Sequence, residues 1–314
     1  MSRRFSSCWV VTDGKSGMES QCLGLAEALG LEPKIFRTAL REPWHSLAPH
    51  LRVGLGNAFV DNPLSPPWPD LLIATGRQSV PASLFLRKRS PRTKRVQIQD
   101  PVINPRHFDL VIAPIHDDLW GRNVIQTIGA LHRATPKRLA AEGAQFAPRI
   151  AGLPRPRIGV LIGGESGAYH FGAEDARALA KEMREQASRL GGSLLVTPSR
   201  RTGEDNVRFL REAVSGAPGF FWDGAGANPY FGILGLADVL LVTADSVNMI
   251  TEACASGHPV YVYNLPGGSS KAECLHEGLY LRGYARPYQG SLEPLPTNRL
   301  YEMTRVARAV EAIP

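Results

Sequence analysis

The stretch Val242–Tyr263, VTADSVNMITEACASGHPVYVY, holds two apolar strand-like runs around a small polar turn, a short helical segment and a Gly-His-Pro break. Gly257 and Pro259 stop the helix and launch the second run. A strand, a helix and a second strand in that order read as a βαβ unit, the building block of parallel sheets. Helix starts that follow strands hold phosphates and nucleotides, because unpaired N–H groups and the helix dipole meet there. Asp245 or Ser246 caps this helix, which leaves Ser246 and Asn248 facing whatever binds. Met249, Ile250, Ala253 and Cys254 fall on one buried stripe. Glu252 falls off it, as a solvated carboxylate or as an acceptor for two ribose hydroxyls.

The same alternation runs outward in both directions. Upstream, IGVLIGG, SLLVTPS and GFFWDG read as strands, with AEDARALAKEMREQASRLGG and GEDNVRFLREAVSG as the helices between them. The first half repeats the pattern: CWVVTD, PKIFRT, DLLIATG, RVQIQD and DLVIAP are strands. MESQCLGLAEALG, QSVPASLFLRKR and ATPKRLAAEGAQFA are helices. PRIAGLPRPR at 148–157, with three prolines and a glycine, reads as a linker. The expectation is α/β: two doubly wound Rossmann-like domains, 1–150 and 151–295, facing a central cleft, with a terminal helix in 296–314.

Composition fits a soluble globular chain of 314 residues, 43% hydrophobic and 21% charged. No apolar run approaches the ~20 residues that span a bilayer, and the start MSRRFSSCWVVTDG, basic but polar again after one strand's worth of apolar residues, does not read as a convincing signal peptide. Cys8, Cys22 and Cys254 sit among apolar neighbours, Cys274 follows a polar stretch, and no CxxC pair occurs. That usage points to a reducing cytoplasm. The net charge of +7 is concentrated at Arg87–Arg95, RKRSPRTKR, with six basic residues in nine. The run is a solvated helix end and loop, or it attracts an anionic membrane surface or a phosphorylated acceptor. Nucleic acid is disfavoured, since no aromatics are interleaved to stack on bases.

Three loops at strand ends carry polar chemistry in the second half. LIGGESGAYHF places Gly163, Gly164, Ser166 and Gly167 at a turn where backbone N–H groups can cradle a pyrophosphate. TPSRRT places Arg200 and Arg201 beyond the next strand, as solvent-exposed arginines or as partners for phosphate oxygens. The third is the Ser246–Glu252 segment. In the first half, VTDGKSG lacks the P-loop's leading glycine, because Trp9 stands there. What remains is a Gly-flanked loop with Asp13, Lys15 and Ser16. PIHDDLW adds His116, Asp117 and Asp118 after another strand, without a third well-spaced metal ligand. No DxD, GxGxxG or Tyr-x-x-x-Lys occurs. These absences count against metal-gripping sugar transferases and nicotinamide-dependent epimerases.

The segments TGRQSVPASLFLRKR, VQIQDPVINPRHFDLVIAPIHDD, GALHRATPKRL, LIGGESGAYHFG, GGSLLVTPSRRT and NPYFGILGLADVLLVTADSVNMITEACASGHPVYVYNLPGG resemble the mitochondrial-fission elongated-mitochondria family over nearly the whole chain. That family in turn looks like GT-B glycosyltransferases. The resemblance implies a bacterial member with an acceptor domain first and a nucleotide-sugar donor domain second. It implies a donor-phosphate loop at GGESGA, a ribose-binding Glu252, and a nucleobase near Asn228 and Tyr230. The terminal helix would cross back onto the first domain. Transfer would be inverting and metal-independent, with no resident cofactor and a nucleoside-diphosphate sugar as substrate. The base would be Asp13, with His116 and Asp117 in reserve. Localisation would be cytoplasmic, peripheral at the inner membrane. The alternative that the resemblance carries is a non-catalytic interaction protein with a protein partner.

Overall fold

The computed structural model describes residues 4–61 and 64–314; Arg3, part of the basic start, lies outside them. The chain forms two compact units, Met1–Arg133 with Tyr301–Pro314, and Ala134–Leu300. Among the described residues no helix is long and apolar enough to cross a membrane.

The first unit is built on β1 (Cys8–Thr12), β2 (Pro33–Arg37), β3 (Leu71–Thr75), β4 (Lys94–Ile98), β5 (Leu110–Pro114) and β6 (Val124–Thr127). They form one sheet in the order β2-β1-β3-β4-β5-β6, every pair parallel. Its helices are α1 (Ser16–Ala28), the short α2 (Trp44–Leu47) and α3 (Val80–Arg89). All five residues of β1 are buried, as a sheet covered on both faces requires. Cys8 and Val10 face one core with Cys22, Leu25 and Ala26 of α1. Trp9 and Val11 face the other with Phe36, Leu72 and Phe59.

The second unit opens with α4 (Pro136–Phe146) and carries β7 (Arg157–Ile162), α5 (Ala173–Leu190), β8 (Ser193–Pro198), α6 (Glu204–Val214), β9 (Gly219–Phe221), α7 (Tyr230–Leu236), β10 (Val239–Thr243), α8 (Val247–Ser256), β11 (Val260–Tyr263), α9 (Ser270–Leu281) and β12 (Arg286–Pro287). Its sheet is also parallel, in the order β12-β11-β10-β7-β8-β9. The Pro-rich stretch at 148–157 runs from the end of α4 into β7, inside this unit. Glycine lets α4 pack closely on α7: a Cβ at Gly235 would stand 2.6 Å from the Leu139 carbonyl oxygen, and one at Gly232 2.7 Å from Phe146 Cβ. The final helix, α10 (Met303–Glu311), buries Met303, Val306 and Val310 in the core shared with α1. Each such aliphatic burial contributes about 1.5–3 kcal/mol. The Glu302 carboxylate fixes the helix start by accepting the Ile128 N–H at 2.6 Å.

The edge strand β6 and three further features differ from the sequence reading. α9 carries Cys274, Glu277 and other polar side chains on a weakly patterned face, so its period is hidden. α7 has two glycines in seven residues and is held by packing on α4, not by propensity. Arg95, counted in the basic run, is buried and paired with Asp109 at 2.7 Å, which leaves five basic residues in that surface.

Candidate functional site: the carboxyl edges of the two sheets

In a doubly wound sheet, ligands gather where the strand order reverses, outside the carboxyl ends of the strands. The first sheet reverses between β1 and β3, the second between β7 and β10.

At the first reversal lies a cavity of about 450 Å³, lined by Asp13, Lys15, Thr38, His45, Arg77 and Gln78. Gly14, at φ +83°, turns the chain sharply out of β1. Asp13 accepts the Lys15 backbone N–H at 3.2 Å and pairs with Lys15 Nζ at 2.6 Å. The Asp13 side chain is 19% exposed and that of Lys15 73%. Gln78 donates Nε2 to the His45 carbonyl at 3.2 Å, while its Oε1 is buried without a partner. That orphaned acceptor suits a hydroxyl donor entering the cavity. Nothing in the sequence marks Gln78, in the 3-10 turn after β3, as a site residue. His116 and Asp117 lie in a 3-10 turn after β5, with Asp117 accepting the Asp100 N–H at 3.4 Å. Three strand spacings, about 14 Å, separate β1 from β5, and neither residue lines the cavity that holds Asp13.

The second reversal is filled by a carboxylate. Asp245, two residues beyond β10, has a fully buried side chain. It accepts the Gly164 N–H at 3.0 Å and the Thr243 hydroxyl at 2.6 Å, and pairs with Arg201 at 2.6 Å. A Cβ on Gly163 would overlap this carboxylate, and one on Gly164 the Arg201 carbonyl. Gly163 donates its N–H to the Thr243 hydroxyl at 2.8 Å. Its carbonyl accepts hydroxyls from Ser199 at 2.7 Å and Thr202 at 2.5 Å. The loops after β7, β8 and β10 are thus one braced unit. In the sequence, Asp245 reads only as a possible helix cap. Thr243-x-Asp245 shows two polar side chains where the strand ends, but nothing local shows what they meet.

The bracing uses the very N–H groups expected to cradle a phosphate. Besides Gly163 and Gly164, Glu165 gives its N–H to the Arg201 carbonyl at 3.0 Å and Ser166 to the Tyr169 carbonyl at 2.9 Å. The Ser166 hydroxyl folds back to accept the Tyr169 N–H at 3.0 Å. Gly167 is exposed, with open space around it. Glu165 is held below the usual carboxylate range by the Phe171 N–H, then by His170.

Ser246 is the N-cap of α8 and accepts the Met249 N–H at 3.4 Å. Asn248 lies in the first turn and is half-buried. Arg200 is exposed on the 3-10 turn after β8. Asn228 is exposed before α7 and accepts the Thr197 hydroxyl at 3.1 Å. Glu252 is not solvated: it is 6% exposed and accepts the Tyr230 hydroxyl at 2.6 Å. Burial, then the Glu252 charge, push the Tyr230 phenol well above its ordinary pKa, so the proton stays on tyrosine. The structure therefore brings together Tyr230 with Glu252, and Gly163, Gly164 with Arg201. It leaves Arg200 and Asn228 at the open surface.

Cys8, Cys22 and Cys254 are buried, and Cys274 is exposed. Desolvation pushes the Cys8 thiol up to about 12 and raises the other two buried thiols, which makes them inert packing groups.

Comparison with known proteins places the fold and the family. The epimerase of Methanocaldococcus jannaschii solved with UDP-GlcNAc and UDP superposes at a TM-score of 0.56 and 10% identity, over 97% of this chain and 99% of that one. Acinetobacter baumannii MurG superposes at 0.50 and 13% identity, over 98% and 91%. These likenesses show the fold, which is GT-B-like. In sequence, the mitochondrial fission protein ELM1 of Arabidopsis thaliana is 31% identical over 71% of this chain. The match spans 58% of the plant protein's length. The family model described as Mitochondrial fission ELM1 matches residues 16–313. The chain belongs to the mitochondrial fission ELM1 family.

Proposed function

We propose that the second unit binds a nucleoside-diphosphate sugar and that the protein transfers the sugar with inversion, without a metal or resident cofactor. The observation that carries this reading is the convergence of the loops after β7, β8 and β10 on one braced edge, next to the capped N-terminus of α8. Because Gly163 and Gly164 have spent their N–H groups, the diphosphate draws its counter-charge from the α8 N-terminus and Arg200. Glu252, oriented by Tyr230, is the ribose acceptor, and Asn228 borders the base. Asp13 is the proton acceptor in the first unit, where the orphaned Gln78 oxygen receives an acceptor hydroxyl. The Methanocaldococcus UDP-GlcNAc 2-epimerase was solved in complex with UDP-GlcNAc and UDP, which supports a nucleotide sugar as the class of ligand. The exposed basic residues Arg87, Lys88, Arg89 and Arg92 would hold the protein against an anionic membrane surface.

A thermal-shift screen against nucleotides and nucleotide sugars tests the reading. A ligand at about 100 times its Kd adds roughly 2.7 kcal/mol of stability. Glu252→Gln keeps an acceptor for Tyr230 but loses the charge, and should weaken nucleotide binding by about 1.5–3 kcal/mol. A second reading, a non-catalytic interaction protein, is favoured by the fission role in the plant relative's name. A screen in which no nucleotide raises the melting temperature would leave that reading standing alone.

A further inference from the structure

Two arginines from separate elements converge on one imidazole in the first unit. Arg52, in the loop after α2, places Nη1 3.0 Å from His107 Nε2. Arg87, in the last turn of α3, places Nη1 2.7 Å from His107 Nδ1. A neutral imidazole has one acceptor and one N–H, so in either tautomer one guanidinium faces a donor. A protonated ring would face two further cations. Among the described residues, neither arginine has a carboxylate within ion-pairing distance. Arg95, at the same amino-terminal edge of the sheet, shows the contrast: it is answered by Asp109 at 2.7 Å.

Basic residues in the last turn of a helix ordinarily complement its dipole, which accounts for Arg87, Lys88 and Arg89 as a set. It does not account for Arg52, which is on no helix. Nor does it account for a histidine held between two guanidiniums. Burial first, and then the Arg52 and Arg87 charges, lower the His107 pKa.

We propose that Arg52, His107 and Arg87 form a subsite for a phosphate group at the amino-terminal edge of the first sheet. The inference does not depend on the nucleotide-sugar reading, whose residues stand at the carboxyl edges. A phosphate bridging the two guanidiniums supplies the missing charge, and its several oxygens suit donors arriving from three residues. His107 then turns from a frustrated spacer into a third donor. The group arrives free in solution or on a lipid headgroup. Val53, next to Arg52 in sequence and 72% exposed, offers an apolar contact for the second source.

The test reads the His107 ring by NMR while inorganic phosphate is added to the full-length protein at constant ionic strength, with chloride as the control. The expected result is a rise in the His107 pKa that chloride does not produce. Arg52→Gln with Arg87→Gln, both at exposed positions, should weaken phosphate binding about tenfold or more. Circular dichroism and the melting temperature confirm that this double variant is folded. Phosphatidylcholine vesicles containing phosphatidic acid are compared with vesicles of equal charge containing phosphatidylglycerol. Preference for phosphatidic acid, lost in the double variant, assigns the phosphate to lipid. Phosphate binding with no vesicle preference assigns it to a soluble compound. A His107 resonance that responds equally to chloride and phosphate, or a double variant that binds phosphate as tightly as wild type, overturns the subsite.

Discussion

The two sheets reverse their strand order in the same way but finish the crevice there differently. In the first, the reversal between β1 and β3 opens into a cavity of about 450 Å³ with a carboxylate and an unmet amide oxygen on its wall. In the second, the reversal between β7 and β10 is plugged by the Asp245 carboxylate, pressed against a glycine that has no Cβ to obstruct it. One edge keeps polar groups available. The other spends them on holding three loops still. Pre-positioned loops suit recognition of a ligand that is the same every time, since ordering entropy is met in folding and not in binding. An open polar cavity suits a group that must gain or lose a proton.

The largest expected effects test the two edges separately. Asp13→Asn should reduce sugar transfer about a hundred- to ten-thousandfold, as removal of a general base does. It should leave nucleotide binding almost unchanged, because the proposed donor loops belong to the other unit. Steady-state kinetics alongside the thermal-shift assay reads both. A variant that transfers at wild-type rate would move the role to His116 or Asp117.

On the second edge, Arg201→Met strands the buried Asp245 carboxylate with two neutral donors. Losing one member of a buried pair costs about 3–5 kcal/mol, and the exposed part of Arg201 puts this pair at the lower end. Asp245→Asn should cost less, because Arg201 is 40% exposed and can turn to water. Denaturation of both single variants and the double variant gives the coupling directly. Equal losses from the two single changes would mean that the carboxylate is not the dependent partner.

Gly163→Ala then asks whether the plug requires space. The added methyl overlaps Asp245, so the carboxylate or the backbone must shift, at about 1–3 kcal/mol. Gly14→Ala is the matching change on the open edge. Its Cβ meets only the Arg37 side chain, at 3.8 Å, so its cost is the positive φ alone, about 1–2 kcal/mol. Hydrogen exchange separates the two: Gly163→Ala should free the Gly164 and Glu165 amides, whereas Gly14→Ala should loosen only its own turn. Protection at Gly164 unchanged by Gly163→Ala would mean that the brace does not need the glycine.

The fold was legible because both sheets are made of short apolar runs closed by glycine or polar turns. CWVVT, LLIAT and VLLVT announce buried parallel strands without reference to anything distant. β6 was not legible: VIQT is short, mixed and only half-buried at a sheet edge. The site divided along the same line. Glycines, paired arginines and a capping serine at strand ends are local signals. Asp245 filling the space beside Gly163 is a contact across 81 residues to the Gly164 N–H, and no local pattern encodes it. For the same reason Glu252 reads as solvated on its own helix, until Tyr230 of α7 is packed against it.

The smallest expected effect falls on the open edge, and the contrast between the edges depends on its being small. Lys15 is 73% exposed at the side chain and pairs with Asp13 at 2.6 Å. Such surface pairs contribute about 0–1 kcal/mol, because water solvates both partners and salt screens them. Lys15→Met should therefore change stability by no more than about 0.5 kcal/mol, measured by denaturant unfolding at low and high salt. Asp13 keeps the Lys15 backbone N–H, which no side-chain change removes, so its carboxylate stays aimed as before. The pair is then an adornment of the first edge, while the Arg201–Asp245 pair is a brace of the second. A loss from Lys15→Met comparable to that from Arg201→Met would show both edges braced by their ion pairs, and the contrast that supports the proposed proton acceptor at Asp13 would be lost.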